Sequence, residues 1–250
     1  MSENNDKLRG GEIVIPKGKT AKFFENLWYH YKWHIIIISF FVTVFAICFV
    51  QCATTPRPDV LFTYAGGYAF NGEEKAPINQ LFSNLVSDGD EEKTAVAINP
   101  YTIYTEDELY KMYFEDGMDP EQNSAATSAY NSAKHTNMTT YSNFSNFLLT
   151  GESAVLFVSE WVYTDKMAKD PERMVALDRV FDQAPEAAYD AYAIRLSETD
   201  IYKQYDVLKV FPEDTLIILL QPTFAGEISN DDVYALHKDL FCKIVQFQSK

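Results

Sequence analysis

The chain is poor in the residues that carry most recognisable chemistry: three cysteines and four histidines in 250 residues. Cys48 and Cys52 fall in or just beyond an apolar run, and Cys242 is near the C-terminus. No framework of paired cysteines staples the fold, so its stability must come from a core. His30 and His34 precede the apolar run, while His135 and His237 stand in neither a triad order nor a metal-ligand spacing. The G-x-S-x-G elbow, the Walker loop, H-E-x-x-H and the dinucleotide glycine pattern are all missing. Carboxylates are plentiful, but plenty alone does not make the paired acids of a glycosidase. The expectation is a protein without catalysis, cofactor or metal.

Charge is absent from one stretch. Trp33 to Pro56 is a run of 24 residues with no Asp, Glu, Lys or Arg. At 1.5 Å per residue, roughly 20 apolar residues cross the ~30 Å hydrocarbon core of a bilayer. A buried helix of a soluble domain shows a polar stripe, and this run has none. It reads as a transmembrane helix. More than 30 residues precede it, which is too many for a cleaved signal, and Gln51 stands where a lipoprotein signal needs a small residue before its cysteine. A retained anchor is expected.

The remaining charge is uneven. Residues 1–32 carry six Lys/Arg against four Asp/Glu, and residues 57–250 carry 15 against 32. Positive residues stay on the cytoplasmic side, so residues 1–32 are expected inside and 57–250 outside the cell membrane. An acidic outer domain repels polyanions and excludes nucleic acid as a partner. In Lys22–His34, aromatic and basic residues interleave, as at a headgroup interface. A docking helix for a membrane partner is the other reading of that segment.

Hydrophobic residues make up 47% and aromatics 15%, too rich for a disordered ectodomain. Apolar β-branched runs predict strands over Asp59–Tyr64, Thr94–Ile98, Ala154–Val158 and Thr215–Leu220, with short edge strands at Met174–Leu177 and Tyr189–Leu196. Helical spacing predicts helices over Pro77–Val86, Glu106–Asp116 (capped by Thr105), Ser124–Ala129, Tyr141–Leu149, from Ser159 onward, and Asp231–Phe247. Thr199–Tyr205 reads as a loop or a helical turn. Asp88–Glu92 reads as a solvated acidic turn, since its match to a calcium loop fails after Asp90. Asn137-Met138-Thr139 and Asn143-Phe144-Ser145 match the N-glycosylation pattern. The alternation implies an α/β layered domain around a largely parallel sheet.

In such a sheet, ligands settle beyond the carboxyl ends of the strands. The expected ends supply Tyr64, Gly66 and Gly67, then Asn99 and Tyr101, then Ser159, Glu160 and Trp161, which mix aromatic rings with polar groups as ligand clefts do. The same residues also suit a plainer role, capping strands and closing the core.

Three passages carry a resemblance: Asp59-Val60-Leu61-Phe62-Thr63-Tyr64-Ala65-Gly66, Leu149 to Glu160, and Asp214-Thr215-Leu216-Ile217-Ile218-Leu219. Behind an aromatic-basic segment and a span, their order resembles single-pass membrane proteins of Firmicutes. The outer domains of those proteins are similar to one part of a type II periplasmic, extracellular solute-binding fold. Ala154 stands where binding proteins usually have Asp. The resemblance implies a membrane-anchored, solute-binding-like domain that takes a small-molecule ligand. The alternative is a scaffold that docks another envelope protein.

Overall fold

The apolar run is the inner part of a longer helix. In the computed structural model, which describes residues 19–54, 58–87, 94–114 and 123–248, helix α1 runs Lys19–Thr54 over 36 residues. The aromatic-basic segment is therefore continuous with the run. Within α1, Trp28–Gln51 is long and apolar enough to cross a membrane, and none of it is buried against protein. The tail before Lys19, the acidic turn Asp88–Glu92 and Asp119-Pro120-Glu121 lie outside the described residues. The chain divides into two units, residues 1–56 and 57–250, and the second is described by itself.

Five strands form one sheet: β1 (Val60–Gly66), β2 (Val96–Thr102), β3 (Val155–Ser159), β4 (Ala193–Arg195) and β5 (Thr215–Leu219). Their order is β2-β1-β3-β5-β4. β1 pairs in parallel with β2 and β3, whereas β5 runs antiparallel to both β3 and β4. The sheet is thus mixed, not largely parallel. A strand buried on both faces is apolar throughout in either direction, so composition cannot show which way β5 runs.

Helices cover both faces. On one, α2 (Gly72–Ser87), α6 (Asp200–Gln204) and α7 (Asp231–Val245) surround a core of Phe62, Phe82, Phe157 and Phe241. The Phe62 ring meets those of Phe82 and Phe157 at 5.1 Å each, within the range where aromatic pairs stabilise beyond their area. On the other face, α4 (Ser124–Thr150) packs Phe144 and Leu148 over Leu156, Val158, Leu216 and Ile218. The two helices expected over Ser124–Ala129 and Tyr141–Leu149 are a single one of 27 residues, closed by Gly151 in the left-handed conformation (φ 68°). α3 (Glu106–Tyr113) begins with the expected Thr105 cap, in a reciprocal capping box with Glu108. After β3, a single helical turn α5 (Glu160–Val162) passes into a wider π turn, Tyr163–Met167. Met174 contributes an isolated bridge to Leu220, not an edge strand, and the Tyr189–Leu196 strand shortens to β4.

The outer edge of β2 is closed by side chains. The Val96 N–H donates to Ser83 Oγ (2.8 Å) and the Ile98 N–H to Asn79 Oδ1 (2.9 Å), both from α2. Pro100 has no N–H to offer. Open edges invite another strand to pair, and this one is occupied over Val96–Pro100. At the far edge, the Tyr189 N–H donates to Ala193 O and the Arg195 N–H to Ala187 O, so residues 187–190 cover β4.

His237 ties α7 to β1. Its ring is buried, with Nδ1 3.0 Å from Val233 O and Nε2 3.0 Å from Leu61 O. Burial pushes its pKa below the ordinary 6.5; the two carbonyls and the charge of Glu227 pull it partly back.

Two measurements check these contacts. Asn79→Ala should cost about 1 kcal/mol in a urea melt by orphaning the Ile98 N–H, and should raise the concentration-dependent association of the chain. Because the His237 pKa is lower in the fold, the unfolded chain takes up its proton first, and stability should fall as pH drops below 6.5. That slope should flatten in His237→Gln; an unchanged slope would remove His237 as its source.

Candidate functional site

From β1 the chain goes to β2 on one side and returns to β3 on the other, so the carboxyl ends of β1 and β3 flank a topological switch point. Tyr64, Gly66 and Ser159 meet there. The Tyr64 ring is fully buried, 4.9 Å from the ring of Phe70 and 5.8 Å from that of Phe211. Its hydroxyl accepts the Tyr68 N–H at 3.3 Å, and burial pushes the phenol far above its ordinary pKa. A Cβ on residue 66 would lie 2.6 Å from Tyr64 Oη and 3.1 Å from Ser159 Cβ, so only glycine lets the three approach. Ser159 Oγ accepts the Val162 N–H at 3.3 Å and caps α5. Directly across from Ser159, the buried hydroxyl of Thr215 has no hydrogen-bond partner. This junction is closed, and its Tyr64 and Ser159 hydroxyls serve nearby backbone N–H groups. Gly67 sits at its rim beside Glu108, where a Cβ would be 3.4 Å from Oε1.

Glu160 and Trp161 face outward. Glu160 accepts from Arg195 Nη2 at 2.7 Å and from the Tyr189 hydroxyl at 3.1 Å. The bond from Arg195 holds its carboxyl below the usual range. The Arg195 guanidinium also lies 4.8 Å from the centre of the Tyr189 ring, and the Tyr163 hydroxyl donates to Asp190. Trp161 is 37% exposed and leans on Tyr141 at 6.1 Å, whose hydroxyl donates to Asp165 at 2.7 Å. The network joins α5 to the β4 edge. Its partners Tyr189 and Arg195 are 29 and 35 residues from Glu160, a separation with no sequence signal.

Asn99 lies inside β2, and Tyr101 is its last residue but one. The strand runs on to Thr102, placing Asn99 beside Thr63 and Tyr101 beside Ala65. The Tyr101 ring packs on Phe144 (5.6 Å) and Phe147 (5.5 Å) of α4. Beyond it, β2, α3 and α4 enclose a groove of about 770 Å³. Pro100, Thr102 and Tyr104 form one wall, Leu109, Met112 and Tyr113 a second. The third is a stripe of small residues on α4, Ala129, Ser132, Ala133, Thr136, Asn137 and Thr140, spaced by three and four so that they share a helix face. Among the described residues, no Asp, Glu, Lys, Arg or His lines it. Asn137 braces the wall, accepting from the Tyr104 N–H (2.9 Å) and donating to the Tyr104 carbonyl (2.8 Å). Its amide is thereby committed within the fold. Of the expected site residues, none lines this groove. The α4 stripe is the signal that could have pointed to it.

Among the described residues, no group of three or more His, Cys, Asp or Glu is placed to hold a metal ion. No family model, curated protein or solved structure matches the chain.

The junction can be checked by a double-mutant cycle. Gly66→Ala should destabilise by about 1–3 kcal/mol through overpacking, read from thermal or urea melts. In a Tyr64→Phe background, which removes the nearest colliding atom, the penalty should shrink; equal penalties in both backgrounds would count against the contact.

Proposed function

We propose that the protein is a single-pass membrane protein with residues 1–32 in the cytoplasm and an extracytoplasmic, solute-binding-like α/β domain. That domain captures a small uncharged ligand in the groove between β2, α3 and α4, and does no chemistry on it. The observation that carries the reading is the groove: a concavity of about 770 Å³ mixing tyrosine, methionine and hydroxyl groups, with no ionised side chain among its described lining residues. Such sites bury an apolar or polyhydroxylated body and orient it with a few neutral hydrogen bonds. A charged ligand would lose its hydration there and gain no counter-charge. The long apolar helix and the charge contrast between residues 1–32 and 57–250 support the address.

A second reading, docking of another envelope protein, is favoured by the exposed side chains of Tyr110 and Met112 on α3, at 41% and 56%. Exposed Met and Tyr are common at adaptable protein contacts.

The full chain in lipid nanodiscs should separate the two. Thermal-shift and native mass spectrometry with neutral saccharides, zwitterionic amino acids, short peptides and dicarboxylates should reveal stabilisation by a neutral compound only. Thr136→Arg, made at an exposed position on the groove wall, should abolish that shift while leaving the unliganded melting point within a degree or two. No stabilising compound and no co-purified molecule would sink the capture reading. A cell crosslink trapping one membrane partner through Met112 would favour docking.

A further inference from the structure

The walls of the groove between β2, α3 and α4 are braced against one another. Lys134 of α4 pairs with Glu106 of α3, and the Tyr130 ring stands edge-on to those of Tyr110 (5.9 Å) and Phe114 (5.4 Å). The Asn137 amide holds the backbone of Tyr104. A groove so held need not be ordered by its ligand, which lowers the cost of binding.

The threonines of the α4 wall are already oriented. Thr136 Oγ1 donates to Ser132 O at 3.1 Å and Thr140 Oγ1 to Thr136 O at 3.0 Å, each one turn back along the helix. A hydroxyl has one proton and two lone pairs. With the proton given to the helix, each threonine offers the groove only an acceptor. Thr102 on the β2 wall turns its proton away in the same sense, towards Tyr68 O at 3.5 Å. A ligand acceptor set against Thr136 or Thr140 must break an intrahelical bond to be satisfied, whereas a ligand donor breaks none.

Four residues of helix place the two acceptors about 6 Å apart along its axis. That matches two hydroxyls on opposite sides of a six-membered sugar ring. From Ala129 to Thr140 the wall extends about 16 Å, room for two such rings in line. Tyr104 and Tyr113 line the other walls and supply rings against which the C–H face of a sugar packs.

We propose that Thr136 and Thr140 select the ligand by its hydrogen-bond donors, and that the ligand is a neutral saccharide-like polyol. The inference rests on the reading of this groove as a capture site and adds what the site demands of its occupant. Ethers, esters and ketones of similar shape are rejected, because their oxygens meet lone pairs.

Thermal-shift titrations of the full chain in lipid nanodiscs test this with maltose, cellobiose and trehalose, and with deoxyfluoro analogues of each. Fluorine in place of a hydroxyl removes the donor at nearly constant size. At least one disaccharide should give a saturable shift, and its analogue fluorinated at the position that meets α4 should lose most of it. Thr136→Val and Thr140→Val should each weaken binding about threefold to tenfold, the worth of one neutral hydrogen bond. Thr139→Val removes a similarly back-bonded hydroxyl that does not line the groove, and should bind as the parent does. Undiminished binding of every fluorinated analogue, or by both groove variants, would overturn the inference and leave capture standing. A shift produced only by neutral compounds other than polyols would do the same. No shift with any neutral compound, amino acids and peptides included, would overturn both.

Discussion

Every side chain of β3 and of β5 is buried, and most of the domain spanning residues 57–250 follows from that constraint. Two adjacent strands that present apolar groups to both faces need cover on each, so α2 and α7 close one side and α4 the other. With no disulfide framework to hold the layers, this two-sided burial and the Phe62–Phe82–Phe157 cluster are the principal cohesive forces. A sheet so placed has only its rims left for polar work.

Those rims are closed in different ways. On β2, α2 supplies Ser83 and Asn79 as acceptors for the outward N–H groups, and a proline follows. On β4, the preceding segment folds back to take the edge. The switch between β1 and β3, where an open α/β sheet usually offers a crevice, is packed shut by Tyr64, Phe70 and Phe211, with Gly66 permitting the approach. One concave surface lies to the side, between β2, α3 and α4.

Electrostatics divides the domain in the same manner. The outer surface is strongly acidic, and its ion pairs, such as Glu160 with Arg195, are partly solvated and of small energetic weight. Among the described residues, the groove between β2, α3 and α4 is lined by neutral side chains.

The sequence by itself determined what depends on composition and short-range spacing. An uncharged run of 24 residues specifies a helix suited to hydrocarbon, Thr105 specifies a helix cap, and the apolar β-branched runs place β1, β3 and β5 to within two residues and the start of β2 equally well. Tyr64, Gly66 and Ser159, which the sequence puts near the carboxyl ends of two strands, meet in the fold because β1 and β3 are neighbours. Only the tertiary structure decided the direction of β5, since a fully buried strand reads alike either way. It alone decided that Asn99 and Tyr101 lie inside β2, because strand ends are set by the pairing with β1. It alone made α4 one helix and joined Glu160 to Arg195 across 35 residues. Local preference is written in neighbouring side chains, whereas pairing direction, rims and grooves arise from which distant surfaces must share burial.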